Sequence, residues 1–532
     1  MLLALTSAGA IVAEQGRPPT VPAPGGTYIE GVVGGHRHFV PIIASTPVDQ
    51  DVARLVFTGL MRADRTGEIV PDLAAQVRVE QEGKVWTFDI RDDARWHDGE
   101  AVVADDVLYT VSLLQDRAYG GSFAEAFRGV SVSRVGPKTV RFTLPGPYGP
   151  FAASTTFPLL PAHLLGGVPY LRLPADPFDQ KPVGTGPFTV SETNAREVVL
   201  AANLDFYRTK PDRARPYFDR FVLRSYADTS EALQALQRGD LDGVSGISSD
   251  DAERARALRS VSVYSYPTND FTALFLNVRP ERAVFRDRAV RQAIATAIDR
   301  GRVLDAAIDG RGRVADTFVP PTSWAYPTEL PKYERSIADA QALLDAAGWT
   351  DSDGDGVRDK GGVALRFSIS TSDEPARVNA ASRIATDLEA VGIKARVDTV
   401  PFDQLVDSVA RPRAFDALLV GITSAPDPDP YPFFHSSQSK DPGSNFSGFS
   451  TLPIDRNLES ARKAGDREQR KALYEPVFQA IAVEVPVVFL YFSDYLYAQH
   501  VSVKGLKIAQ IIDPSQRFWD AEDWFVRTAP RK

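Results

Sequence analysis

The chain has 532 residues, 43% of them hydrophobic and 24% charged, with a net charge of −9. That length exceeds one ordinary domain and predicts about two or three. An acidic balance without a lysine/arginine-rich block excludes nucleic acid as the main partner, and the absence of cysteine excludes disulfides and thiol catalysis.

The chain opens with MLLALTSAGAIVA, apolar and without a charged side chain before Glu14. This run is too short for a membrane span. It resembles the apolar region of a signal peptide, with a cut expected at Ala8-Gly9-Ala10 or near Ala13. EQGRPPTVPAPGG then reads as a tether, so residues 1–25 are expected to be a signal or anchor remnant plus linker. No later run is long and apolar enough to span a bilayer.

Hairpins follow. Val77 and Val79 alternate with polar residues, Glu82-Gly83 turn, and Trp86, Phe88 and Ile90 alternate again, which makes Trp86 a core residue. Asp105 and Asp106 open a helix, where acids complement the helix dipole. The crowded stretch Trp86 to Val107 therefore divides its carboxylates among a strand face, turns and a helix start. His97 beside Trp96 reads as packing and hydrogen bonding. A second hairpin joins Val130 and Val132, through Gly136-Pro137, to Val140, Phe142 and Leu144.

Residues 145–165 are proline-punctuated and irregular. In KPVGTGPFTV, Gly184 and Gly186 are expected to take unusual backbone angles before Pro187 sets up a strand. A helix ends at Gly239 and a short strand follows. Asp287 caps a helix with Val290, Ile294 and Ile298 on one face. Ser336 starts another, closed by Gly348. Residues 365–369 and 393–400 read as strands and residues 381–391 as a helix. The alternation argues for mixed α/β lobes.

Catalytic signatures are absent: there is no G-x-S-x-G, H-E-x-x-H, phosphate loop or dinucleotide turn. His36 and His38 form an H-x-H pair that needs a third ligand to hold a metal; a polar pair lining a loop or cleft is the plainer reading. In DSDGDGVRD, Asp351, Asp353 and Asp355 have the spacing of calcium ligands. Gly356 sits at the sixth position, Asp359 at the ninth and Gly362 at the twelfth, where an EF-hand has glutamate. This is an incomplete calcium loop, alternatively a solvated acidic turn. The aromatic, proline-rich run ITSAPDPDPYPFFHSS suits a ligand cleft or a loop packed by its own rings.

In chain order, the segments IVPDLAAQVRVEQEGKVWTFDIRDDARWHDGEAVVADDV, VGTGPFTV, LFLNVRPERAVFRDRAVRQAIATAID, LLDAAGWTDSDGDGVRD, APDPDPYPFF, NFSGFSTLPIDRNLESA and VPVVFLYFSD resemble extracellular solute-binding proteins of ATP-driven (ABC) importers. The likeness is to the family of dipeptide-, oligopeptide- and nickel-binding proteins, family 5. It implies an α/β, two-lobed periplasmic-binding-protein-like fold of type II, with an extra inserted domain and a hinge cleft. Residues 26–50, 183–268 and 492–532 would form the N-terminal lobe, 51–182 the inserted domain and 269–491 the C-terminal lobe, with crossings near Tyr266–Phe271 and Leu490–Ser493. The implied function is capture of a small solute, peptide-like or other, and its delivery to a membrane permease by a monomer without turnover. A periplasmic or cell-surface location follows. No cofactor is required, calcium being the one candidate ion.

The resemblance, with the local chemistry, gives as ligand-binding candidates His36, His38, Thr185, Asn269, Phe271, Ser424, Asp427, Phe433 and Asn445. In peptide-binding members an aspartate before the Pro-Asp-Pro run pairs with the peptide's amino terminus. Ser424 stands at the matching position, and a neutral hydroxyl is a poor partner for an ammonium ion. A sugar-derived, opine-like or nickel-chelate solute thereby gains weight. The lipid-attachment cysteine of some members is missing, so retention would need an uncleaved N-terminal anchor or an outer membrane; otherwise the protein is released. A secreted hydrolase using paired carboxylates and a ligand-sensing receptor of the same fold are the competing readings.

Overall fold

The computed structural model describes residues 20–121, 123–210 and 213–530. The expected signal-like run and the start of the tether, through residue 19, lie outside the described residues; Thr20–Ala23, expected as tether, is instead a strand paired antiparallel with Arg527–Pro530. Among the described residues, no helix is long and apolar enough to cross a membrane.

Two long antiparallel strands, Val261–Leu276 and Val487–His500, run through both lobes and make one continuous sheet of them. On the N-terminal side lie Gly243–Ser245, Thr27–Val33, Arg220–Tyr226, Glu197–Ala202 and Phe188–Thr193. On the C-terminal side lie Ala417–Thr423, Arg366–Ser372 and Lys394–Val400. The two long strands pair from Val261–His500 to Pro267–Asp494, lose register, and resume at Phe271–Phe492. Pro267 cannot donate to a ladder. Thr268 leaves the pairing and bridges Ile511 instead. The break is the crossing between lobes.

Each half of the sheet is covered on both faces, as α/β layers must be to bury an apolar strand. In the C-terminal lobe Leu274, Leu276, Ile294 and Ile384 pack on one face, and Phe271, Phe275, Phe478 and Phe489 on the other. In the N-terminal lobe Tyr28, Phe221, Leu223 and Trp524 form the larger core. That lobe also buries a charge network. Arg517 reaches Asp51 at 2.8 and 2.6 Å and Glu30 at 3.3 and 3.2 Å. Tyr28 and Tyr497 donate to the same Glu30 carboxylate at 2.9 and 2.8 Å. The network fastens residues 28–51 to residues 497–517 in one lobe; burial still holds the Glu30 and Asp51 carboxyls above their ordinary range, against the pull of Arg517.

Helices begin and end where the side chains dictate. Asp287 accepts a hydrogen bond from Ala289 N and starts Arg288–Ala297, with Val290 and Ile294 inward. Gly239 at φ +80° closes Thr229–Arg238, a conformation other residues reach only with strain. The helix expected at 381–391 is Pro375–Glu389; proline is favoured at a first helical position. It therefore starts a turn and a half earlier than apolar spacing indicated.

The inserted domain carries a four-stranded antiparallel sheet, Ala74–Glu80, Val85–Ile90, Thr139–Thr143 and Ser131–Gly136. Trp86, Phe88 and Ile90 are buried against Phe142, Phe151 and Phe127. Asp106 caps Ala104–Leu114 by accepting from Val103 N at 2.9 Å, and also holds Trp96 Nε1 and Ala162 N. The busy stretch Trp86 to Val107 is architecture.

Candidate functional site

Strand direction locates the site. Arg366–Ser372 is parallel to Lys394–Val400 and to Ala417–Thr423. Because Thr423 pairs with Asp270, their carboxyl ends point at the crossing. Thr27–Val33 is parallel to Arg220–Tyr226 and Gly243–Ser245, and Ser245 pairs with Tyr497, so the N-terminal lobe aims its carboxyl ends the same way. Ligands of open α/β sheets bind beyond these ends. The cleft lies there, between the lobes.

At the crossing, Asn269 receives the Gln510 amide on its side-chain oxygen and Ser424 N–H on its backbone oxygen at 3.3 Å. Ser424 is 6% exposed, and its hydroxyl has no hydrogen-bond partner among the described residues. Asp270 lies beside it, with Oδ1 likewise buried and unpartnered. Burial raises the Asp270 pKa, against the Thr423 hydroxyl and the Arg377 charge, which favour the ionised form.

Arg377 is the feature the sequence reading missed. It projects from the first turn of Pro375–Glu389. Nη1 donates to Thr272 Oγ1 and Tyr491 OH, both at 2.9 Å. Its nearest carboxylate is the exposed Glu374, at 3.8 Å. The guanidinium lies against Gly421, where a Cβ would stand 2.1 Å from Nη2. A lightly paired guanidinium at the strand ends is suited to a carboxylate. The E-P-A-R-V-N start of its helix carries no apolar periodicity, so only the proline marked that turn.

The other candidates fall into three groups. His36 lies just past Val33, at the cleft end of its strand, stacked on Phe39 and 3.3 Å from Thr193 Oγ1. His38 donates from Nδ1 to Asp179 at 2.8 Å. The two rings have separate partners, and the one group of potential metal ligands among the described residues excludes both. Thr185, Phe271, Phe433 and Asn445 are buried. The Thr185 hydroxyl is 2.6 Å from that of Thr58, and Phe271 and Phe433 pack edge to face at 5.7 Å. The Asn445 amide donates to Phe449 O and His435 O, and its oxygen accepts from Ser447 and Gly448. Asp427 is ion-paired with Arg470.

Gly184 and Gly186 correct an expectation. Neither has a positive φ. A Cβ would lie 1.9 Å from Val56 O at Gly184 and 2.5 Å from Leu55 O at Gly186. Glycine serves close approach of two backbones there. The acidic turn brings Asp351, Asp353 and Asp355 oxygens within 4.8 Å of one another. Asp359 stands apart, accepting from Ser352 N and Oγ at 2.9 and 2.7 Å.

The sequence profile of the bacterial extracellular solute-binding proteins, family 5, matches residues 68–445. The chain belongs to this family. It is 29% identical over 514 residues to the oligopeptide-binding protein AppA of Bacillus subtilis, covering 95% of this chain and 92% of AppA. Protein XP55 of Streptomyces lividans is 30% identical over 526 residues, 93% of this chain and 91% of XP55. Among solved structures, AppA with a nonapeptide superposes at a TM-score of 0.71 with 28% identity, over 95% of this chain and all of AppA. NikZ of Campylobacter jejuni with Ni(L-His) gives 0.72 at 27%, over 94% of this chain and 99% of NikZ. The solute-binding protein therefore has the two-lobed fold with a hinge cleft. It captures a solute and presents it to the permease of an ABC importer; a hydrolase is not favoured.

Proposed function

We propose that the cargo is a small solute with a carboxylate, held by Arg377 at the mouth of the C-terminal lobe. The observation that carries this is the guanidinium laid on Gly421 and, among the described residues, hydrogen-bonded to the neutral hydroxyls of Thr272 and Tyr491. The loop after Thr423 supports a departure from ammonium capture. Ser424 is neutral, and the nearby Asp427 and Asp429 are already paired with Arg470 and Arg462. Peptides and opine-like acids both carry the required group. Transport and sensing would use the same cleft.

A thermal-shift screen with di- and tripeptides, oligosaccharides, nickel chelates and opines tests this, since a ligand of the folded state raises the melting temperature. Carboxylate-bearing solutes should shift wild type and not Arg377→Gln. A shift only with neutral oligosaccharides, or one undiminished in Arg377→Gln, overturns the reading.

We further propose a monomer, held at the cell surface by its N-terminal segment if that segment is retained. We also propose that the acidic turn holds calcium structurally, supported by the convergence of Asp351, Asp353 and Asp355. Calcium titration calorimetry on wild type and Asp353→Ala decides it: no heat in wild type removes the ion.

A further inference from the structure

The inserted domain travels with the N-terminal lobe. Leu113 and Leu160 share a core with Tyr28, Phe188 and Phe221 of that lobe. Tyr207 donates to Asp72 at 2.8 Å, and His97 holds Gly184 N and Gly186 O, each at 3.1 Å. Any contact it makes with the C-terminal lobe away from the two long strands must therefore form or break when the lobes turn about the hinge.

One such contact is built with unusual closeness. The corner Tyr148–Gly149 meets the connection between Leu452–Lys463 and Arg467–Glu484. Gly149 N donates to Arg462 O at 2.7 Å, and a Cβ on Gly149 would stand 2.1 Å from Ala464 O and 3.3 Å from Arg470 Cδ. The Arg462 guanidinium lies 5.8 Å from the Tyr148 ring centroid and 3.5 Å from that of Tyr431. Nearby, Arg467 donates to Glu68 of the inserted domain at 2.8 Å.

The receiving surface leads back to the cleft. Arg462 Nε donates to Asp429 at 2.6 Å, and Arg470 grips Asp427 with both terminal nitrogens. Both aspartates belong to the loop that leaves the cleft at Ser424. Trp324 stacks 5.0 Å from Arg470 and 5.7 Å from Arg467. Two of the arginines at this contact, Arg462 and Arg470, thus also hold the cleft loop, while Arg467 bonds the inserted domain itself.

We infer that the Tyr148–Gly149 corner is a latch that holds the lobes at the spacing of this structure, and that Arg462 and Arg470 are positioning residues coupling it to the solute-facing loop. A solute that moves the loop moves its aspartates, the aspartates hold the arginines, and the arginines present the surface on which the inserted domain rests. Solute and latch therefore bias the same two-state equilibrium. The inference rests on capture by lobe closure, and its test separates the two.

The chain has no cysteine, so Glu80→Cys in the inserted domain and Glu389→Cys in the C-terminal lobe, both exposed, take spin labels without background. Distances are measured by pulsed electron resonance. Wild type should show two populations, one at the spacing of this structure. Gly149→Val should lower the population at the spacing of this structure, relative to the other, about tenfold or more, with unchanged circular dichroism. Should that variant fold poorly, Arg467→Glu on the surface should deplete the same population, and Glu68→Arg added to it should restore it. A single wild-type distance that no solute of the screen changes sinks closure itself. Two populations left unmoved by Gly149→Val, or by the charge reversal, sink the latch alone.

Discussion

Arg470 donates from Nη1 to Asp427 Oδ2 at 2.8 Å and from Nη2 to Oδ1 and to Tyr474 OH. Its side chain is 4% exposed, so the pair stands in low dielectric. Asp427→Ala would strand the guanidinium with one hydroxyl as partner. Breaking a buried pair from one side costs about 3–5 kcal/mol, whereas replacing both members with apolar groups costs far less. Urea unfolding should show Asp427→Ala less stable than the double variant Asp427→Ala/Arg470→Met. Equal losses would mean that the pair's charge is not what holds the loop.

Gly421 should matter for binding more than for folding. A Cβ there would meet the far end of a flexible side chain, 2.1 Å from Arg377 Nη2. Arg377 can swing away at small cost, but it then leaves the Thr272 and Tyr491 hydroxyls. Gly421→Ala is expected to lower stability by less than about 1.5 kcal/mol. It should weaken carboxylate-bearing solutes about tenfold or more, a scale ordinary for one charge-assisted contact. Calorimetric titration beside thermal denaturation reads both, and unchanged affinity would remove Arg377 from the cleft.

Neither Gly421 nor Arg377 is marked in the sequence, whereas local patterns are legible. Alternation at Trp86, Phe88 and Ile90, the Asp287 cap and the left-handed Gly239 are local, and each does in the fold what its pattern implies. Cleft geometry is not local. Asn269 meets Gln510 across 241 residues and Arg377 meets Thr272 across 105. Phe433 packs on Phe271 and Phe318 from distant segments, while the Asn445 side chain bonds within its own loop, to His435, Ser447, Gly448 and Phe449. Gly184 and Gly186 look like turn glycines until Val56 is placed against them. Only the distant partner distinguishes close approach from unusual torsion.

His97 fastens that same glycine loop. Its Nδ1 accepts from Gly184 N while Nε2 donates to Gly186 O, so the neutral ring is the working form. Burial lowers its pKa to about 4, from an ordinary value of 6.5. Between those values the unfolded chain takes up a proton that the folded chain refuses. Stability should therefore fall as pH drops through this window, by about 1.4 kcal/mol per pH unit from this group. His97→Gln should lose that slope against wild type between pH 6.5 and 4. Parallel profiles would show that His97 accepts the proton in place.

Asp520 has the opposite dependence. Trp524 Nε1 donates to its Oδ1 at 2.9 Å, while Oδ2 is buried without a partner among the described residues. Tyr266 OH, likewise buried and without a partner among them, belongs to the strand that leads into the crossing. Burial, reinforced by Glu522 and Asp523, raises the Asp520 pKa to about 8 from an ordinary 3.8. The folded chain then keeps a proton that the unfolded chain releases between those values. By linkage, stability falls as pH rises through the window and levels off once both states are ionised. From this group alone the slope is about −1.4 kcal/mol per pH unit. Asp520→Asn keeps an acceptor for Trp524 and cannot ionise. Its stability relative to wild type should grow steadily from pH 4 to 8 and become constant above. A difference that stays flat across that range would mean the carboxyl is already ionised in the fold, with Lys507 favouring its charge.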